Sequence, residues 1–173
     1  SGVLLEPHQI DQKKLDQACN LELEEGCEKY DEICYPETGY MPYLKYFGEG
    51  VHSGNNILKF DNTNGKHDVL ILVIDNRSKQ KVRSQFIRIG DLLEMENIPS
   101  SIYKVKVYKG HDWTFEKVME DNITRGGFTR DDKFQEVETL LILDGNYIEG
   151  LIFNPIDGGS IKSEDITESQ FFD

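Results

Sequence analysis

The residues with the clearest chemical potential are His111, Asp112 and Trp113, which stand together after a predicted strand and a glycine. Loops at such places commonly carry functional side chains. An imidazole beside a carboxylate has the groups for a metal site or for an acid–base pair. Neighbouring side chains rarely converge on one point, however, and no third ligand is evident. The alternative is that Trp113 closes one end of the core while His111 and Asp112 stay in solvent.

Catalysis by hydrolysis has weaker support in the sequence. It would require a nucleophile, a base and a group that stabilises developing charge, and no Gly-x-Ser-x-Gly elbow occurs. Carboxylate pairs for glycoside hydrolysis can be drawn from Asp131, Asp132 and Glu136, but 32 acidic residues make such pairs common by chance. We therefore favour a protein without catalytic residues or a cofactor. A hydrolase that uses acidic residues near His111 remains the alternative.

Aromatic content is the one feature suited to recognition. Tyr108, Trp113 and Phe128 lie on or beside a long segment between predicted strands. Exposed together with His111 and Asp112 at one end of the fold, they would form a platform for sugar rings or a protein hot spot. Buried, they would be the end caps of the core. A second aromatic group precedes the strands and contains Tyr40, Tyr43, Tyr46 and Phe47.

Two other short motifs are better explained by local structure than by ligands. Asp61–Gly65 resembles part of a calcium loop but lacks the alternating acids and the distal glutamate. Its Asn64-Gly65 pair instead favours a hairpin turn. Gly126-Gly127 is not followed by the helix of a phosphate-binding loop, so nucleotide binding has no support.

The cysteines bear on the cellular compartment. Cys19, Cys27 and Cys34 cluster near the start of the chain, and they permit one disulfide with any of three pairings. Their spacing is not that of a zinc site. Clustered cysteines favour an oxidising compartment. Three reduced thiols in a cytosolic protein are the alternative.

Charge excludes other classes of partner. The chain has 173 residues and a formal net charge of −13, from 32 acidic and 19 basic side chains. Such a charge repels phosphate backbones and anionic lipids, so nucleic acid is an unfavourable partner. No apolar run reaches the length of a membrane-spanning helix.

The elements that must position these residues are mostly β-strands. The run at 67–75 is almost wholly apolar, which is typical of a strand buried on both faces. The run at 81–89 alternates with one slip, which indicates a bulge. We predict strands at Asn56–Asp61, His67–Asp75, Lys81–Ile89, Leu92–Ile98, Ile102–Tyr108, Val137–Leu143 and Tyr147–Phe153, the last two joined as a hairpin through Asp144-Gly145-Asn146. Helices are predicted at Ile10–Glu25, at Thr114–Asp121 and from Ser163 to Phe172.

Part of this pattern resembles a known fold. Asp68–Gly110, with its Asn97-Ile-Pro-Ser-Ser-Ile turn before a Tyr-centred strand, resembles prealbumin-like (carboxypeptidase regulatory-like) sandwich domains. The chain differs in having Ser100-Ser101 where such domains usually place glycine in the turn. The resemblance implies a β-sandwich.

Four short signatures are similar to those of a family of secreted or lipid-anchored proteins from Bacteroidota. They are Thr38-Gly39 with Pro42-Tyr43 and Tyr46-Phe47-Gly48; Tyr108 to Trp113; Gly126-Gly127-Phe128 with Asp131 and Phe134; and the acidic tail ending in Phe171-Phe172. The resemblance spans residues 38–173 and implies a compartment, not a mechanism.

We therefore predict a mainly β protein, a prealbumin-like or Ig-like antiparallel sandwich of about seven strands with short terminal helices. Residues 1–54 would form an N-terminal helix and an aromatic-rich segment packed on the core, and residues 55–173 the sandwich. The predicted function is a non-enzymatic binding or interaction module, secreted or in the cell envelope, whose partner is a protein or a surface carbohydrate. An intracellular interaction domain is a further alternative.

Overall fold

A computed structural model describes residues 35–145, 148–152 and 161–173. One compact unit runs from Glu37 to Asp173, and it includes residues 37–54, which the sequence groups with the N-terminal segment. The predicted helix Ile10–Glu25 and the three cysteines lie outside the described residues. The elements are α1 (Leu44–Phe47), β1 (Asn56–Asp61), β2 (Asp68–Asp75), β3 (Lys81–Ile87), β4 (Leu92–Ile98), β5 (Ser101–Val118), β6 (Arg125–Val137), β7 (Leu141–Leu143), β8 (Ile148–Ile152), β9 (Ser163–Ile166) and α2 (Glu168–Phe172).

The strands form two sheets. The smaller sheet has the order β4-β1-β8, and the larger has the order β3-β2-β5-β6-β9, with β7 beside β5. Strand pairs are antiparallel except β1 with β8, which run parallel. Buried side chains from both sheets, such as Leu58, Met95, Ile71 and Val105, form one core cluster. The predicted mainly β sandwich is confirmed, with nine strands in the described part of the chain.

Strand β2 is buried along both faces, as its apolar run predicts. Val69, Ile71 and Val73 point into the core shared with the smaller sheet. Leu70 has Tyr108 and Phe86 as its cross-strand neighbours, so its side of the sheet faces a second, aromatic core. The register between β2 and β3 shifts at Val73, which confirms the bulge indicated by the slipped alternation of β3.

Both predicted hairpins outside β2–β3 are wrong, because each turn joins strands of different sheets. The Asn62–Gly65 turn leads from β1 in the smaller sheet to β2 in the larger one. The buried Asn62 amide donates to the main-chain oxygens of His67 and Arg88, which fixes this crossing. Gly65 is required there, since a Cβ would lie 1.8 Å from Asn62 Oδ1. The stretch from Asp144 likewise separates β7 from β8, and Asn146 is outside the described residues.

Two helix predictions also need correction. Thr114–Asp121 is not helical: β5 extends to Val118, and its residues pair with β6 as far as Arg125. Ser163 does not begin a helix but the short strand β9, whose register with β6 runs from Ser163↔Val137 to Ile166↔Phe134. Long-range pairing outweighs local helix propensity in both places. The last helix starts after Thr167, which caps it in a capping box with Gln170.

Candidate functional site

The outer face of the larger sheet is covered by an aromatic layer, which α1, α2 and the segment before α1 help to build. Tyr43 contacts Trp113 and Phe172, with ring centroids 5.9 Å and 5.1 Å apart. Tyr108 stacks on Phe134 at 4.1 Å. We define the aromatic layer as Tyr40, Tyr43, Tyr46, Phe47, Phe86, Tyr108, Trp113, Phe115, Phe128, Phe134, Phe171 and Phe172.

The three rings predicted as a binding platform are buried within this layer. Trp113 is 6% exposed, and Tyr108 and Phe128 are fully buried. Trp113 packs edge-on against Phe128 at 5.0 Å and against Phe86 at 5.5 Å. An exposed platform of these rings is therefore not formed, and they are core residues of the second, aromatic core.

The Tyr108 hydroxyl is committed to internal hydrogen bonds. It accepts from the main-chain N–H of Phe128 at 3.0 Å and lies 3.3 Å from Asp132 Oδ2. Lys117 donates to Asp132 at 2.9 Å and to the Phe128 carbonyl at 2.6 Å. Burial raises the pKa of Tyr108 far above its usual range, so the phenol stays neutral. Gly127 leaves room for this network, since a Cβ there would lie 3.0 Å from the Tyr108 hydroxyl and 2.8 Å from Lys117 Cδ.

His111 and Asp112 point to different partners. Asp112 has a positive φ of 55° and forms an exposed ion pair with Arg130 at 2.9 Å. The His111 ring lies instead beside His67, with centroids 4.7 Å apart and planes tilted by 36°. The two neighbours therefore do not form the acid–base pair that their sequence allows.

The acids considered for hydrolysis are also dispersed. Asp132 pairs with Lys117, and Glu136 lies 3.5 Å from Lys104. Asp131 is the acid closest in effect to the histidines, because its charge raises the pKa of His67 against the effects of burial. Within residues 35–145, 148–152 and 161–173, no group of three His, Cys, Asp or Glu side chains is arranged to hold a metal ion.

The histidine pair predicts a pH dependence of stability. Burial, together with the charges of His111 and Lys109, lowers the pKa of His67 below 6.5, while Asp131 and Asp68 oppose the shift. A lowered histidine pKa means that the unfolded chain binds the proton more tightly. The contribution is thus intact above pH 6.5 and lost as the pH falls through the folded-state pKa.

We expect the free energy of unfolding, measured with denaturant between about pH 8 and pH 5, to fall more steeply for the wild type than for His67→Gln. Subtracting the variant's profile removes the contribution of carboxylates such as Asp61 and Asp75, whose pKa values are lowered by local hydrogen bonds. Parallel profiles would show that His67 titrates equally in both states.

A cavity opens where the aromatic layer meets the β2–β3 hairpin, and we call it the Tyr46 cleft. Its volume is about 550 Å³, within the range of small-ligand sites. Tyr46 is 50% exposed, and its ring is held edge-on by Phe47 at 5.1 Å and by Phe172 at 5.2 Å. The lining consists of Tyr46, Phe47, Gly48, Glu49, Gly50, Lys79, Gln80, Lys81 and Phe172.

Positive charge is concentrated at this cleft. Lys79 Nζ donates to the main-chain oxygen of Asn76 at 2.7 Å, and Lys81 Nζ to that of Asp173. Neither ammonium is paired with a side-chain carboxylate among the described residues. Arg83 is 4% exposed behind Gly50, and its guanidinium donates only to main-chain oxygens, those of Val51, Val82 and Glu96.

Local turns set the cleft walls. Gly48 ends α1 with a φ of 78° and Gly50 follows with 86°, backbone angles that glycine adopts without steric cost. Across the cleft, the Asp75 carboxylate accepts from the main-chain N–H of Arg77 and Ser78 and shapes the β2–β3 turn. Sequence reasoning noted Tyr46 and Phe47 as aromatic residues, but not the lysines of the hairpin, because the contact joins segments about thirty residues apart.

No family model, curated protein sequence or solved structure matches this chain. Across the described residues, no helix has both the length and the apolar character needed to cross a bilayer. The fold and the cleft are therefore the grounds on which function is argued below.

Proposed function

We propose that this protein is a non-enzymatic binding module of the cell envelope or the extracellular space, and that it binds its ligand at the Tyr46 cleft. The sandwich with its loop-borne aromatic residues supports a binding role. The similarity of its short signatures to secreted and lipid-anchored Bacteroidota proteins, together with its clustered cysteines, supports the compartment. The same similarity supports a prealbumin-like classification of the sandwich.

The observation that carries the proposal is the half-exposed ring of Tyr46 in a cavity of small-ligand size. Most aromatic rings of the layer are enclosed, whereas this ring has one side free for a partner. Because Phe47 and Phe172 already fix its orientation, a ligand that stacks on it needs to order little protein. Cations and main-chain groups beside the ring supply the polar contacts that confer specificity.

The hydrolase alternative has less support. Asp112 and Asp132 are each engaged with a cation, and the His67–His111 pair has no carboxylate hydrogen bond printed in its geometry beyond the electrostatic influence of Asp131. An intracellular interaction domain is the other alternative. Reduced Cys19, Cys27 and Cys34 in the native protein, read by mass spectrometry with and without reductant, would favour it.

The test is an array of purified cell-surface polysaccharides and envelope proteins probed with the wild type and two variants. Tyr46→Ala is expected to abolish binding, because it removes the exposed ring. Ile123→Ala is the matched control, since Ile123 is also apolar and is 82% exposed in the β5–β6 turn. Mass spectrometry of the recovered ligand should show it intact.

Cleavage of the ligand would instead support the hydrolase. Binding that survives Tyr46→Ala but is lost in Ile123→Ala would place the site outside the cleft. Both variants should retain the melting temperature of the wild type, because surface substitutions of this kind change stability by about 0.5 kcal/mol or less.

A further inference from the structure

The chemistry of the cleft lining narrows the class of ligand. We propose, on the basis of the proposed function, that the Tyr46 cleft binds a monoanionic sugar, a pyranose unit that carries one carboxylate or one sulfate. Three properties of the lining lead to this class: a flat apolar surface, a small excess of positive charge, and polar groups of both hydrogen-bonding kinds.

The flat surface is the ring of Tyr46. It is half exposed and is held by edge-on contacts with Phe47 and Phe172. An aromatic face of this kind packs well against the C–H face of a pyranose, because the tyrosine has a large apolar area and few rotamers to restrict. A single exposed ring fits one sugar unit, whereas a broad protein interface needs a larger apolar patch.

The charge of the lining fits a single negative group. Lys79 and Lys81 contribute two ammonium groups and Glu49 one carboxylate, which leaves one positive charge in excess. Arg83 adds a further cation behind the floor at Gly50, where a Cβ would lie 3.4 Å from its Nη1. In a chain of net charge −13, such a place attracts an anion that the rest of the surface repels.

The remaining lining groups match sugar hydroxyls. A hydroxyl both donates and accepts hydrogen bonds, so its site needs partners of both kinds. The exposed Gln80 amide offers a donor and an acceptor, and the Glu49 carboxylate accepts. Each lysine uses one N–H on a main-chain oxygen, which leaves two on each ammonium for a ligand.

The experiment is an NMR titration of the ¹⁵N-labelled chain with three sets of trisaccharides. The first set carries uronate residues, the second carries one sulfate ester per residue, and the third contains the carboxyl-reduced, neutral counterparts of the first. We expect a uronate or a sulfated trisaccharide to shift the amides of Gly48, Gly50 and Gln80. Its neutral counterpart should bind about tenfold more weakly or less.

Variants test the two contacts separately. Tyr46→Ala should weaken binding about tenfold, while Tyr46→Phe retains it. Lys79→Gln with Lys81→Gln should reduce the preference for the anionic over the neutral sugar, and Lys66→Gln, an exposed lysine of the β1–β2 connection, should leave it unchanged. Raising the salt from about 50 to 500 mM should weaken the wild type and not the double variant, because exposed charges are screened.

Equal affinity for anionic and neutral sugars would overturn the inference and leave the proposed function intact. The inference also fails when no sugar of the three sets binds. In that case the array decides the proposed function independently, since a protein ligand lost in Tyr46→Ala would uphold it. Binding of the anionic sugars away from the cleft would contradict both.

Discussion

Trp113→Ala is expected to lower the free energy of unfolding by about 3–5 kcal/mol, the usual cost of removing a large buried aromatic side chain. Trp113 is 6% exposed and touches Tyr43, Phe86, Tyr108 and Phe128. Its removal leaves a cavity that the rings around it cannot fill without losing their own contacts. Chemical denaturation of both proteins at one pH measures the difference.

The control for this experiment is Ile123→Ala, which removes an exposed apolar side chain and should change stability by about 0.5 kcal/mol or less. Trp113 is the single tryptophan of the chain, so the wild-type emission spectrum gives a second readout. Emission of a buried indole that acrylamide quenches poorly would agree with the structure. A loss of stability below 1 kcal/mol, as a flagged bound of about that size for surface sites, would mean that Trp113 is not a core residue.

Phe171→Ala should have a comparable effect, about 3–5 kcal/mol, and it should also impair the cleft. Phe171 is fully buried and lies against Phe134 at 5.2 Å, with Tyr108 and Phe47 close by. It anchors α2 to the sheet, and the next residue, Phe172, forms part of the cleft wall. Loosening α2 therefore removes one of the two rings that orient Tyr46.

Ser169→Ala is the matched control in the same helix, because its side chain is exposed. It should leave both the unfolding free energy and ligand binding at the wild-type level. A Phe171→Ala variant with normal stability would show that α2 does not contribute to the second core. Reduced stability with unaltered ligand binding would show that the cleft does not depend on α2.

The sequence predicts those parts of the fold that depend on patterns within single strands. The apolar run of β2 indicates burial on both faces, and the single slip in β3 indicates its bulge, because period-2 alternation reports which face a residue occupies. The sheet to which a strand belongs is a different matter. The Asn64-Gly65 pair does form a turn, but the partner of β1 is decided by core packing and by the buried amide of Asn62.

Long-range pairing also explains the two misassigned helices. Thr114–Asp121 and Ser163–Ile166 have residues compatible with a helix, yet both pair with the long strand β6. Local propensity is a weak determinant where two neighbouring strands offer hydrogen bonds and apolar contacts. Thr167, four residues after Ser163, then supplies the cap at which the true helix begins.

The candidate site was only half accessible to sequence reasoning. Aromatic residues near Trp113 and near Tyr46 look alike in a sequence, since exposure depends on what covers each ring. Trp113 lies beneath Tyr43 and above Phe128, while Tyr46 sits at the edge of the aromatic layer. The lysines that complete the cleft come from the β2–β3 turn, and only the folded chain brings Lys79 and Lys81 beside α1.

The most direct test of the central claim is to locate bound ligand by amide shifts in the ¹⁵N-labelled protein, using the compound that binds most strongly on the array. The proposed site predicts that the largest shifts fall on Gly48, Gly50, Gln80 and Lys81 and disappear in Tyr46→Ala. Shifts centred on His67 and His111, or conversion of the ligand during the titration, would contradict a non-enzymatic module that binds at the Tyr46 cleft.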